Sequence, residues 1–262
     1  MYICTQTRTN QHIHAQRGAP PTYTGTGPTE KQSADLRIES IFEGFGRYHS
    51  ARPQRVGYPG SDQKVHGGAV SHSLNPFSYQ DRKVYAHEEK ILLAKKAQEL
   101  LHDRMVILMD GGTTNLELVR QLSPALQLTM ITNSLPVAVE LADHPCIEII
   151  FIGGKLLKNA QVTVGPEVID TVRRIRADLC ILGTRSIHHQ MGITEIDWDE
   201  TKVKRAMMHA SEEVISLVIK EKINTIQPYI IGETRRVSTL VTSVDKRDPL
   251  LSPYRELGIE VI

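Results

Sequence analysis

The stretch Met105-Val106-Ile107-Leu108-Met109-Asp110-Gly111-Gly112-Thr113-Thr114-Asn115 decides how the rest of the chain is read. It opens on an unbroken apolar run, which fits a strand buried on both faces. An acid, two glycines and two threonines follow, and then Leu116, Leu118, Val119 and Leu122 recur at helical spacing. The order is strand, glycine-rich turn, helix. Such a turn presents backbone N–H groups and hydroxyls to an anion at a helix N-terminus, and glycine lets the main chain come close to it. The same residues also suit an ordinary βα turn with Thr113 or Thr114 as N-cap.

Outward from this stretch, strands and helices alternate. Apolar runs predict strands at Leu128–Thr132, Ile147–Ile152, Leu179–Leu182, Val214–Val218, Thr239–Thr242 and Ile259–Ile262. Helical spacing predicts helices at His87–Asp103, Asn115–Leu122, Leu135–Ala142, Pro166–Ile175, Trp198–Ala210 and Pro249–Leu257. This alternation predicts an α/β fold, a mostly parallel sheet with helices on both faces. Ligands of such sheets collect beyond the carboxyl ends of the strands. Here those ends are Asp110 to Thr114, Thr132-Asn133-Ser134, Gly153-Gly154-Lys155 and Gly183-Thr184-Arg185. All are small, polar or cationic, which suits an anionic small molecule. Lys155 and Arg185 are available to supply charge.

Composition narrows the class. The 262 residues permit one large or two modest domains, and the net charge of +1 announces no polybasic field. Cys4, Cys146 and Cys180 form no CxxC pair, and the histidines lack metal-ligand spacing, so neither a metal nor another cofactor is expected. There is no apolar signal-peptide core and no run long enough to span a bilayer, so the expectation is a cytoplasmic protein with no membrane partner. Residues 1–63, rich in Thr, Gln, Gly, Pro and Arg, predict an irregular or disordered segment, with a short helix possible near Ser33 to Phe42. Residues 64–85 read as a linker and 86–262 as the folded domain.

Further motifs follow in order: Thr132-Asn133-Ser134-Leu135-Pro136, Ile152-Gly153-Gly154, Gly165-Pro166-Glu167, Met191-Gly192-Ile193-Thr194 and Glu200-Thr201-Lys202-Val203-Lys204-Arg205-Ala206-Met207. From about Lys64 to the C-terminus the chain resembles the effector-sensing domain of DeoR-family transcriptional repressors. The resemblance implies a Rossmann-like domain related to sugar-phosphate isomerases. It implies binding of a phosphorylated sugar or related metabolite that alters affinity for operator DNA, and a homo-oligomer. Lys64-Val65-His66-Gly67-Gly68-Ala69 looks like the family's junction between DNA-binding wing and sensor.

Carried over, the resemblance makes Asp110, Gly111, Gly112, Thr113 and Thr114 the phosphate-side loop. Asn133, Ser134, Gly153 and Gly154 follow at the next strand ends. Asp197, Glu200, Lys202 and Lys204 line the opposite side of the pocket. The other reading of that last group is a charged helix face with Glu200 and Lys204 paired at i,i+4. Lys222 matches a lysine in the family's Leu-Ala-Asp-x-x-Lys strand end, whereas Ile219 replaces its acid and removes an acceptor for sugar hydroxyls.

The family's N-terminal winged helix-turn-helix has no counterpart in residues 1–63, which lack the apolar spacing of a three-helix core. The genetic code suggests why. With each codon from Tyr48 to Lys64 displaced forward by one base, the permitted residues include Thr-Ile-Arg-Arg-Asp-Leu-Asn-Val-Leu-Asp-Thr-Gln-Gly-Leu-Ile-Arg. That string matches the family's recognition helix and wing, and it joins directly to Lys64-Val65-His66-Gly67-Gly68. The segment before Lys64 therefore reads as an out-of-frame translation of a DNA-binding domain, with the indel near Gln63 and Lys64. A divergent or disordered arm is the other reading. Two further function classes remain: an enzyme of the related isomerase group, for which Asp110, Asp197 and Glu200 are available carboxylates, and a ligand-binding module that acts only by oligomerising with intact relatives.

Overall fold

The computed structural model describes residues 78–262, together with the backbone of two short antiparallel strands, β1 (Gln63–Val65) and β2 (Gly68–Val70). The readings made for residues 1–62, including the helix near Ser33 to Phe42, lie outside the described residues. Within the stretch read as a linker, Ser78 accepts a hydrogen bond from Asp81 N–H and caps helix α1 (Tyr79–Val84). Helix α2 (His87–Gln98) follows. It is shorter than predicted and gives way to a turn that ends with Arg104 at φ 71°.

The first strand–helix unit is β3 (Val106–Met109) and α3 (Thr113–Arg120), followed by β4 (Thr129–Thr132), α4 (Leu135–Leu141) and β5 (Glu148–Phe151). A hairpin, β6 (Lys155–Leu157) and β7 (Val162–Val164), leads to α5 (Pro166–Arg173) and β8 (Ala177–Leu182). Then come β9 (Ser186–His188), β10 (Gly192–Glu195), α6 (Trp198–His209) and β11 (Ser211–Val218). The chain finishes with β12 (Tyr229–Gly232), β13 (Thr239–Thr242), α7 (Ser252–Glu256) and β14 (Glu260–Val261).

Seven strands form one parallel sheet in the order β14-β13-β11-β8-β3-β4-β5. Its two faces explain the unbroken apolar runs. Leu108, Cys180 and Leu182 point to the side covered by α5, α6 and α7, while Ile107, Met109, Leu179 and Ile181 point to the side covered by α2, α3 and α4. Successive strand residues thus bury opposite ways, so both must be apolar. Cys180 is a buried thiol in the first of these cores, and burial holds its pKa well above the ordinary thiol value.

The sequence did not announce two features. The β6–β7 hairpin and a three-stranded antiparallel sheet, β12-β10-β9, stand apart from the main sheet. The predicted Pro249–Leu257 helix is a 3-10 turn over Pro249–Leu251 followed by α7. Pro253 has no N–H to donate back to residue 249, so one continuous α-helix is not available.

Candidate functional site

The cleft lies at the carboxyl ends of β3 and β8, which are adjacent in the sheet. Its floor is the turn after β3. Gly112 takes the N-cap position of α3 at φ 136°, a conformation that side chains resist, and it makes no side-chain cap. Thr113 and Thr114 are therefore the first helical residues rather than the cap. Gly183, at the end of β8, is equally constrained, since a Cβ there would fall 2.0 Å from Gly111 O. The buried Asn115 ties the turn down: its Nδ2 donates to Asp110 O at 3.0 Å and to Ile181 O at 3.2 Å. These contacts leave the N–H groups at the start of α3 facing the cleft, with the partial positive charge of a helix N-terminus.

The cleft is lined by Gly111 to Asn115, Gly183, Thr184 and Arg185, with Arg82, Glu195, Glu200, Lys204 and Lys222 completing the charged wall. An adjoining space shares Arg82, Arg185, Glu195 and Glu200 and reaches Asn159 and Asp197. The cleft has two poles. Arg82, Arg185 and Lys222 make one cationic. Lys222 Nζ donates to Thr184 O at 2.7 Å. Burial, reinforced by the cations Arg82, Arg185, Lys90 and Lys204, brings its pKa down to about 7. Burial likewise lowers that of Arg185.

The other pole is a buried ion cluster. Lys204 Nζ lies 2.5 Å from Glu195 Oε2, 2.8 Å from Glu200 Oε1 and 3.5 Å from Asp110 Oδ2, and it donates to Gly183 O at 2.7 Å. Burial opposes charge on this lysine, but Glu195, Glu200 and Asp110 outweigh it and raise its pKa. The carboxylates respond differently. Burial pushes Glu200 up to about 7, against the pull of Lys204. Burial also raises Asp110, whose Oδ2 accepts from Gly183 N–H at 3.0 Å and whose Oδ1 has no hydrogen-bond partner. For Glu195, burial is overcome by Lys204 and the pKa falls.

The structure thus brings Gly111, Gly112, Thr113, Thr114, Glu200, Lys204 and Lys222 onto one wall, with Asp110 directly behind it. Asp197 caps α6 through Asp199 N–H and Glu200 N–H and borders the adjoining space. Other sequence candidates stand elsewhere. Asn133 and Ser134 are fully buried beneath the turn, Asn133 donating to Thr163 O at 2.9 Å and Ser134 capping α4. Gly153 and Gly154 form the turn between β5 and β6 and do not line the cleft. Lys202 points to the outer face of α6, where it lies 5.0 Å from the Trp198 ring centroid and pairs with Asp199 at 3.4 Å. The difference is helical phase: Glu200 and Lys204, four apart, share the cleft face, and Lys202 between them cannot. Lys155 is exposed, whereas Arg185 is on the wall. Ile219, in the place of the family's acid, is buried in the core shared with α2 and α3.

Sequence reading missed Arg82 and Glu195, whereas Thr184, read as part of a polar strand end, is on the wall. Glu195 sits one residue past the quoted Met191-Gly192-Ile193-Thr194 motif, and only the fold of β10 against α6 sets it beside Lys204. Lys90 was also missed. It is buried and donates to Arg82 O and Tyr85 O, which fixes the end of α1. Among the described residues, no group of His, Cys, Asp and Glu is placed to hold a metal ion, and no helix is long and apolar enough to cross a membrane.

Residues 85–244 match the family described as the DeoR C terminal sensor domain. The HTH-type transcriptional regulator GolR of Listeria innocua is 30% identical over 204 residues, covering 77% of this chain and 80% of that protein. The HTH-type transcriptional repressor GlcR of Bacillus subtilis is 30% identical over 68% of this chain and 69% of its own length. The Glycerol-3-phosphate regulon repressor of Escherichia coli is 30% identical over 68% and 71%. Among solved structures, ribose 5-phosphate isomerase A of Methanocaldococcus jannaschii aligns with a TM-score of 0.37 at 18% identity, over 51% of this chain and 52% of that one. By its matched sensor domain and its regulator relatives, this chain belongs to the DeoR family of transcriptional repressors.

Proposed function

We propose that the cleft binds a phosphorylated sugar or a related phosphorylated metabolite, the effector whose occupancy would control operator binding in a family member with an intact DNA-reading head. The observation that carries this reading is the two-pole wall. The start of α3 with Arg82, Arg185 and Lys222 suits a phosphate, while Glu195 and Glu200 opposite suit hydroxyl donors. Asp110, Gly111, Gly112, Thr113, Thr114, Glu200, Lys204 and Lys222 are the proposed effector-binding residues, with Asp197 at the far end. Asn133, Ser134, Gly153 and Gly154 act by shaping the turns. One relative is a glycerol-3-phosphate regulon repressor, so a phosphorylated three-carbon polyol belongs among the ligands tested.

Thermal shift of the full chain with a panel of sugar phosphates tests this. A ligand at a hundred times its Kd stabilises by about 2.7 kcal/mol, and its unphosphorylated parent should give no shift. A folded sample that no phosphorylated compound stabilises would remove the assignment. The competing isomerase reading rests on the buried Glu200, poised near neutrality as an acid–base group. Turnover of a sugar phosphate that is abolished by Glu200→Gln would favour it.

We infer, further, that residues 1–63 occupy the place of a DNA-reading head translated out of frame, leaving this chain without the recognition helix. Gel shifts at stated salt should then show only weak, salt-sensitive DNA binding. The nucleotide sequence around codons 40 to 65 decides the point: unless the displaced frame encodes Arg-Arg-Asp-Leu, the inference is wrong. Homo-oligomerisation, the other property carried by the family, is open to measurement by light scattering.

A further inference from the structure

Arg82 stands out from the rest of the cleft. It lies outside the matched family region, which begins at residue 85, yet it borders both parts of the cleft. Its Nη2 donates to Asn159 O at 3.0 Å, and its guanidinium carbon lies 5.7 Å from the Tyr79 ring centroid. Among the described residues it makes no ion pair, and its buried Nε has no hydrogen-bond partner. A guanidinium in that condition, facing a cleft with Arg185 and Lys222 on the same wall, lacks an anion.

Its position in the chain matters as much. Arg82 is carried by α1, the helix that follows β2 and precedes the matched domain. α1 packs against α3, the helix whose N-terminus forms the cleft floor. The attachment is polar and local: the buried Lys90 holds Arg82 O and Tyr85 O, and Tyr79 is the buried side chain of α1. A short helix held by one buried residue and a few hydrogen bonds belongs to the easily opened part of a fold. An anion bridging the start of α3 and Arg82 would add a charge-assisted tie between α1 and the sheet.

We propose that Arg82 binds the effector's anionic group, and that α1 thereby passes ligand occupancy to the chain N-terminal to it. This rests on the effector reading of the cleft. It goes further by assigning a ligand contact to a residue outside the sensor match and by giving a route from the cleft toward the upstream segment. A ligand shifts a two-state element only by contacting its states unequally, and Arg82 supplies such a contact on α1.

The test is hydrogen–deuterium exchange on the full chain, with inorganic phosphate and glycerol 3-phosphate as probes, in the wild type, Arg82→Ala and Arg82→Lys. In the wild type, a probe should slow exchange both at 111–116 and at 79–85. Arg82→Ala should keep the protection at 111–116 once the probe is raised ten- to hundredfold, the loss expected for one charged hydrogen bond. Protection at 79–85 should then be absent. Arg82→Lys, which keeps the charge and loses the fork, should fall between. Unchanged protection of 79–85 in Arg82→Ala refutes the coupling while leaving the effector site standing. No protection at 111–116 in the wild type with either probe refutes a phosphate subsite at the start of α3, and this inference with it. Should Arg82→Ala not fold by circular dichroism, Arg82→Lys and Arg82→Gln carry the same comparison.

Discussion

Replacing Lys204 by methionine keeps the length of the side chain and removes the ammonium that Glu195, Glu200 and Asp110 share at 2.5, 2.8 and 3.5 Å. The site is buried, with relative exposures of 3% for the Lys204 side chain and 0% for Asp110. Removing one member of a buried ion cluster leaves uncompensated charge and typically costs about 3–5 kcal/mol. For a domain of this size about 1 kcal/mol moves the melting temperature by 2–4 °C, so the fall should be roughly 6–20 °C. The loss should also depend on pH. Without the ammonium, the carboxylates' folded-state pKa values move up, above their unfolded values. Such groups stabilise below the unfolded pKa and lose that contribution as pH rises through the folded one. The variant should thus lie closer to wild type at pH 5 than at pH 8. Adding Glu195→Gln to Lys204→Met should recover part of the stability, because one of the stranded charges is gone. Urea titration at both pH values measures all of this. A loss under about 1 kcal/mol with no pH dependence would show that Lys204 does not neutralise the cluster, and the electrostatic account of this pole would fail.

Three other perturbations probe the rest of the site. Gly183→Ala places a Cβ 2.0 Å from Gly111 O and 2.6 Å from Asp110 Oδ2, so it should destabilise by about 1–3 kcal/mol and weaken ligand-induced stabilisation; an unchanged urea midpoint would contradict the packing described. Asn115→Ala removes the donor to Asp110 O and Ile181 O and should cost about 1–3 kcal/mol, read by thermal melting, with the larger effect on ligand affinity. Lys222 has its folded pKa depressed to about 7 from an ordinary 10.5, so the unfolded chain holds the extra proton between those values. Stability should therefore rise with pH across that window, and Lys222→Met should flatten the rise. Phosphate binding near pH 8 should draw a proton back onto Lys222, seen as buffer-dependent binding heats; identical heats in buffers of unlike ionisation enthalpy would argue against contact.

The strand–turn–helix at Met105 to Asn115 was legible because its information is local. An apolar run buried on both faces, followed by glycines and a helical repeat, needs no partner to be recognised. For the same reason β13 falls on its predicted residues, and the other main-sheet strands differ only at their ends. The short antiparallel strands β6, β7, β9, β10 and β12 were not legible. Each is only three or four residues long and is stabilised by pairing with another segment rather than by its own pattern.

The sequence alone determined the α/β class, the glycine turn after β3, and the pairing of Glu200 with Lys204 by helical spacing. Only the tertiary structure decided which charges share a cleft. It brought Glu195 from β10, Arg82 from α1 and Lys222 from beyond β11 to the same wall, and it turned Lys202 outward. The physical reason is range. Helix phase and strand alternation are set by neighbours a few residues apart, whereas burial, and with it the pKa of a lysine or a glutamate, depends on what distant segments pack around it.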